Sequence, residues 1–136
     1  MSNLGDLLRF AKVFQRVKNW KAIDLLLLGG SITAGGYFME FTNMLEKKEG
    51  LNVTFHNHGH GATDISYTIY CIDMDKSRPD LVLIDFSVND YGHPKLMDNL
   101  IRKALSLPSK PVVVLVNMWV AKHCPQTRYL LHAYYY

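Results

Sequence analysis

Between Leu4 and Trp20, apolar side chains fall at Leu4, Leu7, Leu8, Phe14, Val17 and Trp20, close to helical spacing, with Arg9, Lys12, Arg16 and Lys18 between them. The spacing predicts an amphipathic helix with its apolar stripe on a core and its basic side in water. A basic amphipathic helix is also the pattern of a membrane-surface element. After Lys21 the period changes. Ile23–Leu28 is a short, largely apolar run stopped by Gly29 and Gly30, which reads as a buried strand. Tyr37–Lys48 returns to helical spacing through Phe38, Phe41, Met44 and Leu45 and ends at Gly50. Leu51–Phe55 opens a second strand, closed by Gly59 and Gly61, and residues 64–76 predict a second helix ahead of Pro79. Leu81–Phe86 is a third strand, Lys95–Leu107 a third helix, and Val112–Asn117 a fourth strand introduced by Pro111. Strands separated by single helices imply right-handed crossovers and a parallel sheet covered on both faces. The expectation is therefore a leading helical segment, residues 1–21, followed by one α/β domain over residues 22–136.

Composition narrows the function classes. The 136 residues are 49% hydrophobic and 20% charged, a globular balance with enough chain for one core. The net charge of +3 is uneven. Residues 1–21 carry five positive and one negative side chain, and the remainder carries ten against eleven. A nearly neutral body lacks the basic stripe of a nucleic-acid platform. Cys71 and Cys124 cannot form a disulfide framework and lack metal or redox spacing, so they read as buried or idle thiols. No apolar run approaches the ~20 residues of a membrane span. No signal-peptide pattern follows Met1, so the default expectation is an intracellular chain.

In a parallel sheet, ligand chemistry gathers beyond the carboxyl ends of the strands. Gly29–Gly36, His56–Thr63, Ser87–His93 and Asn117–Cys124 should meet there. The first of these is Gly29-Gly30-Ser31-Ile32-Thr33-Ala34-Gly35-Gly36. It fits no phosphate loop, because Gly36 stands where the lysine must be. It contains no dinucleotide GxGxxG, and Thr33 breaks the GxSxG elbow. What remains is a serine on a tight strand-to-helix turn, a nucleophile or a helix cap. Asn57-His58-Gly59-His60-Gly61-Ala62-Thr63 supplies glycines that let backbone approach a ligand. Ser87-Val88-Asn89-Asp90 brings an Asn amide, a neutral and directional donor for a developing oxyanion, to the same edge.

Gly-Gly-Ser-Ile-Thr after strand one, Asn-x-Gly-x-Gly-Ala-Thr after strand two and Val-Asn-Asp after strand three resemble the SGNH hydrolase superfamily, the GDSL-type esterases and lipases. The match runs in order across residues 24–117. The resemblance implies a flavodoxin-like α/β/α sandwich and a serine ester hydrolase acting on small esters or acylated glycans, without a cofactor. By position it makes Ser31 the nucleophile. It makes the Ser31 N–H, the Gly61 N–H and the Asn89 side chain the oxyanion donors, with Gly30, His58, His60 and Asp90 lining the substrate site. Gly30 replaces the usual Asp of the first motif, and Ser87 replaces a usual Gly.

The superfamily's closing Asp-x-x-His, which supplies the base, has no counterpart, because no Asp follows Asp98. The resemblance therefore implies a sandwich without its last strand and helix, and a chain of low activity by itself. His123 is the one surrogate base near the functional edge. A non-catalytic binding module with the same pocket is the alternative. A third reading places Zn²⁺ on His56, His58 and His60, which alternate on one side of an extended backbone. Without a fifth strand, and unless Thr127–Tyr136 folds back to replace it, the uncharged run Val112–Val116 would be an open edge, a template for self-association.

Overall fold

The structure is a computed structural model describing residues 7–86 and 94–116. Helix α1 (Leu7–Trp20) leads into strand β1 (Ala22–Gly29), a four-residue turn of helix α2 (Ser31–Ala34) and helix α3 (Phe38–Glu49). Strand β2 (Asn52–Gly59), helix α4 (Ile65–Cys71), strand β3 (Leu81–Asp85), helix α5 (Pro94–Leu105) and strand β4 (Val112–Leu115) follow. All strand pairs are parallel, in the order β2-β1-β3-β4. The first four strands of a flavodoxin-like sheet take this order.

From Leu25 to Leu28 β1 is apolar without a break because both faces of the strand are covered there. Leu26 and Leu28, with Val82 and Ile84 of β3, pack under Ile65 of α4 and Met97, Leu100 and Ile101 of α5. Leu25 and Leu27, one residue out of phase, face the opposite layer, where Phe38, Phe41 and Leu45 of α3 and Val13 and Val17 of α1 lie. All four leucines of this run are fully buried. This is the expected three-layer arrangement.

Local chemistry sets the element ends. Gly50 ends α3 with φ 63°, its N–H on the Glu46 carbonyl and the Leu51 N–H on the Leu45 carbonyl. Left-handed glycine caps close helices in this way. The helix expected over 64–76 is shorter. The Asp64 carboxylate caps its start by accepting the Tyr67 N–H, but the chain turns extended at Ile72. Asp73 then accepts the Asp75 N–H and starts a separate turn, Met74–Lys76. A side chain that satisfies backbone donors locally competes with helix continuation. Ile72 and Met74 both reach the core as a result.

The leading helix docks differently from the expectation. Leu7, Leu8, Phe10, Phe14 and Trp20 are exposed, and the basic side makes the contacts. Arg9 donates to the carbonyls of Leu105 and Pro111, Lys12 to that of Ser109, and Arg16 meets the Asp80 carboxylate at 2.9 Å. Leu105 is the last residue of α5, where carbonyls without helical partners concentrate negative potential. Cations find better partners there than leucines do, with Val13 and Val17 filling the gap beneath.

Cys71 is free and exposed rather than buried, and Cys124 lies outside the described residues. Among the described residues no helix is long and apolar enough to cross a membrane. On its side away from β3, β4 pairs with no described strand.

Candidate functional site

The register aligns the carboxyl ends of three strands. Gly29, the last residue of β1, pairs with Gly59 of β2 on one side and Asp85 of β3 on the other. The His60 N–H extends the ladder by donating to the Gly29 carbonyl at 3.1 Å. Directly after this line, the chain leaves β1 through buried Gly30 and turns into α2, whose first residue is Ser31. Ser31 is exposed, and the amides of Ser31, Ile32 and Thr33 belong to a first helical turn, whose N–H groups have no intrahelical acceptor. A nucleophile presented at a strand-to-helix turn needs this combination of an open hydroxyl and free amide donors.

Close packing holds the turn against the sheet. A Cβ on Gly29 would overlap the Thr33 side chain, and one on Gly59 would stand 2.6 Å from the Ala34 nitrogen. Gly29 is required by the Thr33 side chain and Gly59 by the backbone of Thr33 and Ala34, not because a ligand approaches. Gly61 is the contrasting case, since a Cβ there meets nothing within 4 Å. The loop carrying it is shaped by its neighbours. The Asn57 carboxamide accepts the Gly59 N–H at 2.8 Å and donates to the Thr33 carbonyl at 3.4 Å, and the Thr63 hydroxyl donates to the His60 carbonyl. Asn57 thus links the β2 loop to the Ser31 turn.

Sequence reasoning missed Asp85. Its carboxylate is buried at the end of β3, and one oxygen, Oδ2, accepts the Thr33 hydroxyl at 2.9 Å and the Tyr37 hydroxyl at 2.7 Å. Burial, followed by the hydrogen bond and charge of Asp85, pushes the Tyr37 phenol well above its ordinary range, so it stays a donor. The available signal was a carboxylate closing an apolar strand, Leu81-Val82-Leu83-Ile84-Asp85, since a buried charge demands partners.

The three histidines take different surroundings. His56 and His58 share one face of β2, which runs on through Gly59, and His60 lies past its end. His56 Nε2 sits 3.3 Å from the Asp24 carboxylate, and the His60 ring meets Tyr67 edge-on at 5.2 Å. Burial first, then the charges of His56 and His60, hold the His58 imidazole below its ordinary value. Among the described residues no group of three or more His, Cys, Asp or Glu side chains is placed to hold a metal ion. The structure therefore brings the Ser31 turn, the 57–63 loop and Asp85 to one edge. Ser87, Asn89, Asp90 and His123 lie outside the described residues.

No family model matches the chain, and no curated protein matches it. Among solved structures it is similar to the crystal structure of a two-domain esterase (CEX) active on acetylated mannans. The identity is 32% and the TM-score 0.73, over 85% of this chain and 35% of that one. The chain thus spans little more than a third of that esterase's length. Its helix-flanked parallel sheet is flavodoxin-like and matches the fold of that esterase.

Proposed function

We propose that this chain carries an SGNH-type serine ester hydrolase site, with acylated carbohydrate as its foremost substrate class. The observation that supports it is Ser31, exposed on a turn wedged against the carboxyl ends of β1 and β2, in a fold shared with an esterase that acts on acetylated mannans. In this reading the Ser31 Oγ attacks the acyl carbonyl carbon as its proton passes to a base. The resulting oxyanion is held by the Ser31 and Gly61 N–H groups and the Asn89 amide. Collapse expels the sugar hydroxyl, which regains a proton, and leaves an acyl ester on Ser31. Water then releases the carboxylic acid. Gly30, His58, His60 and Asp90 line the substrate side.

The base is the step these 136 residues do not supply through an Asp-x-x-His after β4. Loss of a triad member in serine hydrolases costs ~10⁴–10⁶ in turnover. The chain by itself should therefore acylate slowly and release more slowly still. With an aryl acetate, peptide mapping should find an acetyl ester on Ser31, while steady turnover stays near that of Ser31→Ala. Absence of the Ser31 ester contradicts the reading, and retained binding of acetylated mannan would then favour a binding module. Fast turnover abolished by His123→Ala would instead identify His123 as the base.

A further inference from the structure

Among the described residues nothing anchors the Ser31 side chain, so its aim depends on what fixes the turn that carries it. Two residues on, Thr33 is fully buried, and six residues on, Tyr37 begins the approach to α3. Both hydroxyls converge on the same oxygen of Asp85, across 52 and 48 residues of sequence. Asp85 is itself fixed by its place in β3, opposite Gly29. We propose that Asp85 is a positioning residue of the site, its buried carboxylate clamping Thr33 and Tyr37 so that the Ser31 turn keeps one orientation above the sheet.

The physical case rests on three features. A carboxylate buried in a central strand is retained only if its lone pairs are used, and two hydroxyl donors use one oxygen fully. Thr33 lies within the Ser31–Gly36 segment and Tyr37 just past its end, so the clamp holds the turn at two points rather than at one. The turn's own hydrogen bonds, Ala34 N–H to Gly30, Gly35 N–H shared between Ser31 and Ile32, and Gly36 N–H to Thr33, are few. Four residues of helix are far too short to hold themselves in water. The glycine contacts stop the turn from moving inward, and the hydroxyl–carboxylate clamp stops it from lifting away. The proposal rests on the reading of Ser31 as nucleophile only for its catalytic consequence, since the clamp itself can be measured separately.

The test compares the whole chain with Thr33→Val, Thr33→Ser, Tyr37→Phe and the Thr33→Val/Tyr37→Phe double variant. Amide exchange of residues 31–36, read by mass spectrometry against Leu25–Leu28 as the internal reference, measures the clamp. The rate at which an alkyl fluorophosphonate labels Ser31 measures its consequence. The clamp predicts ~10-fold faster exchange of 31–36 in Thr33→Val and more in the double variant, with the β1 reference unchanged. Labelling should slow by ~10- to 100-fold, the scale of a misplaced reacting group. Thr33→Ser, which keeps the hydroxyl, should restore both. Exchange in the double variant equal to the original, or Thr33→Ser as impaired as Thr33→Val, overturns the proposal. A Ser31 that stays unlabelled in the original chain even on prolonged exposure, while exchange still responds, overturns the nucleophile reading and leaves the clamp standing.

Discussion

His58 shows how a single side chain ties this site to solution conditions. It lies on β2 next to the candidate site, and its imidazole is held below the ordinary value of 6.5 by burial and by two neighbouring histidines. On acidification the unfolded chain therefore takes up this proton before the folded chain does. The stability that this group contributes is complete above about 6.5 and is lost as the pH falls from there toward the folded value. Melting temperatures at about pH 7.5 and about pH 5.5 should fall less in His58→Gln than in the original chain. Equal falls would show that the histidine run does not carry the effect. Residue chemistry was legible in the sequence where it sits on a local pattern, as with Ser31 after Gly29-Gly30. Asp85 was not, because its partners lie 48 and 52 residues away and only the fold brings them near. Gly59 was visible as a glycine, but the backbone of α2 that makes it necessary was not.

At the level of elements, α1 departs most from its pattern. A 3.6-residue period shows that a helix has two faces, but not which face will find a partner. Here the partners are the carbonyls of Leu105, Ser109 and Pro111 and the carboxylate of Asp80. Carbonyls that run free at a helix end carry no mark in the residue types. Arg9→Met keeps the aliphatic stem but removes both carbonyl bonds, and should cost about 1–2 kcal/mol in urea unfolding, the scale of hydrogen bonds from a charged donor. Phe14→Ser removes a larger apolar group that is 69% exposed, and should stay within about 0.5 kcal/mol. The reverse ranking would mean that α1 packs by its apolar stripe after all. Elements with one dominant signal were read nearly to the residue. β1 and β3 carry the apolar runs Leu25–Leu28 and Leu81–Ile84 because both faces are covered, and α3 closes at the left-handed Gly50. The helix over 64–76 was overread because Asp73, inside an otherwise helical pattern, starts its own turn.

For the whole molecule, alternation of strands and helices was enough to predict the sheet, since parallel strands need crossovers and crossovers have a fixed hand. The observed order β2-β1-β3-β4, which handedness alone does not fix, is the flavodoxin-like one that the resemblance implied, and it delivers Gly29, Gly59 and Asp85 to a single line. β4 borders β3 alone among the described strands, and Val113–Leu115 are only half-buried. An apolar, uncharged strand in that position is a template for another strand. The 136-residue chain is therefore expected to associate at micromolar concentration, and Val114→Lys to lessen this. Equilibrium sedimentation giving one monomeric mass at every concentration would contradict it.

The central claim is that the carboxyl edge of this sheet is an ester-hydrolysing site built on Ser31. Its most direct measurement is an experimental structure of the chain after reaction with a fluorophosphonate. The account predicts phosphorus bonded to the Ser31 Oγ, with a phosphonyl oxygen about 3 Å from the Ser31 nitrogen, the Gly61 nitrogen and the Asn89 amide. An adduct on another residue, or an Asn89 amide more than ~8 Å from the Ser31 Oγ, would contradict it.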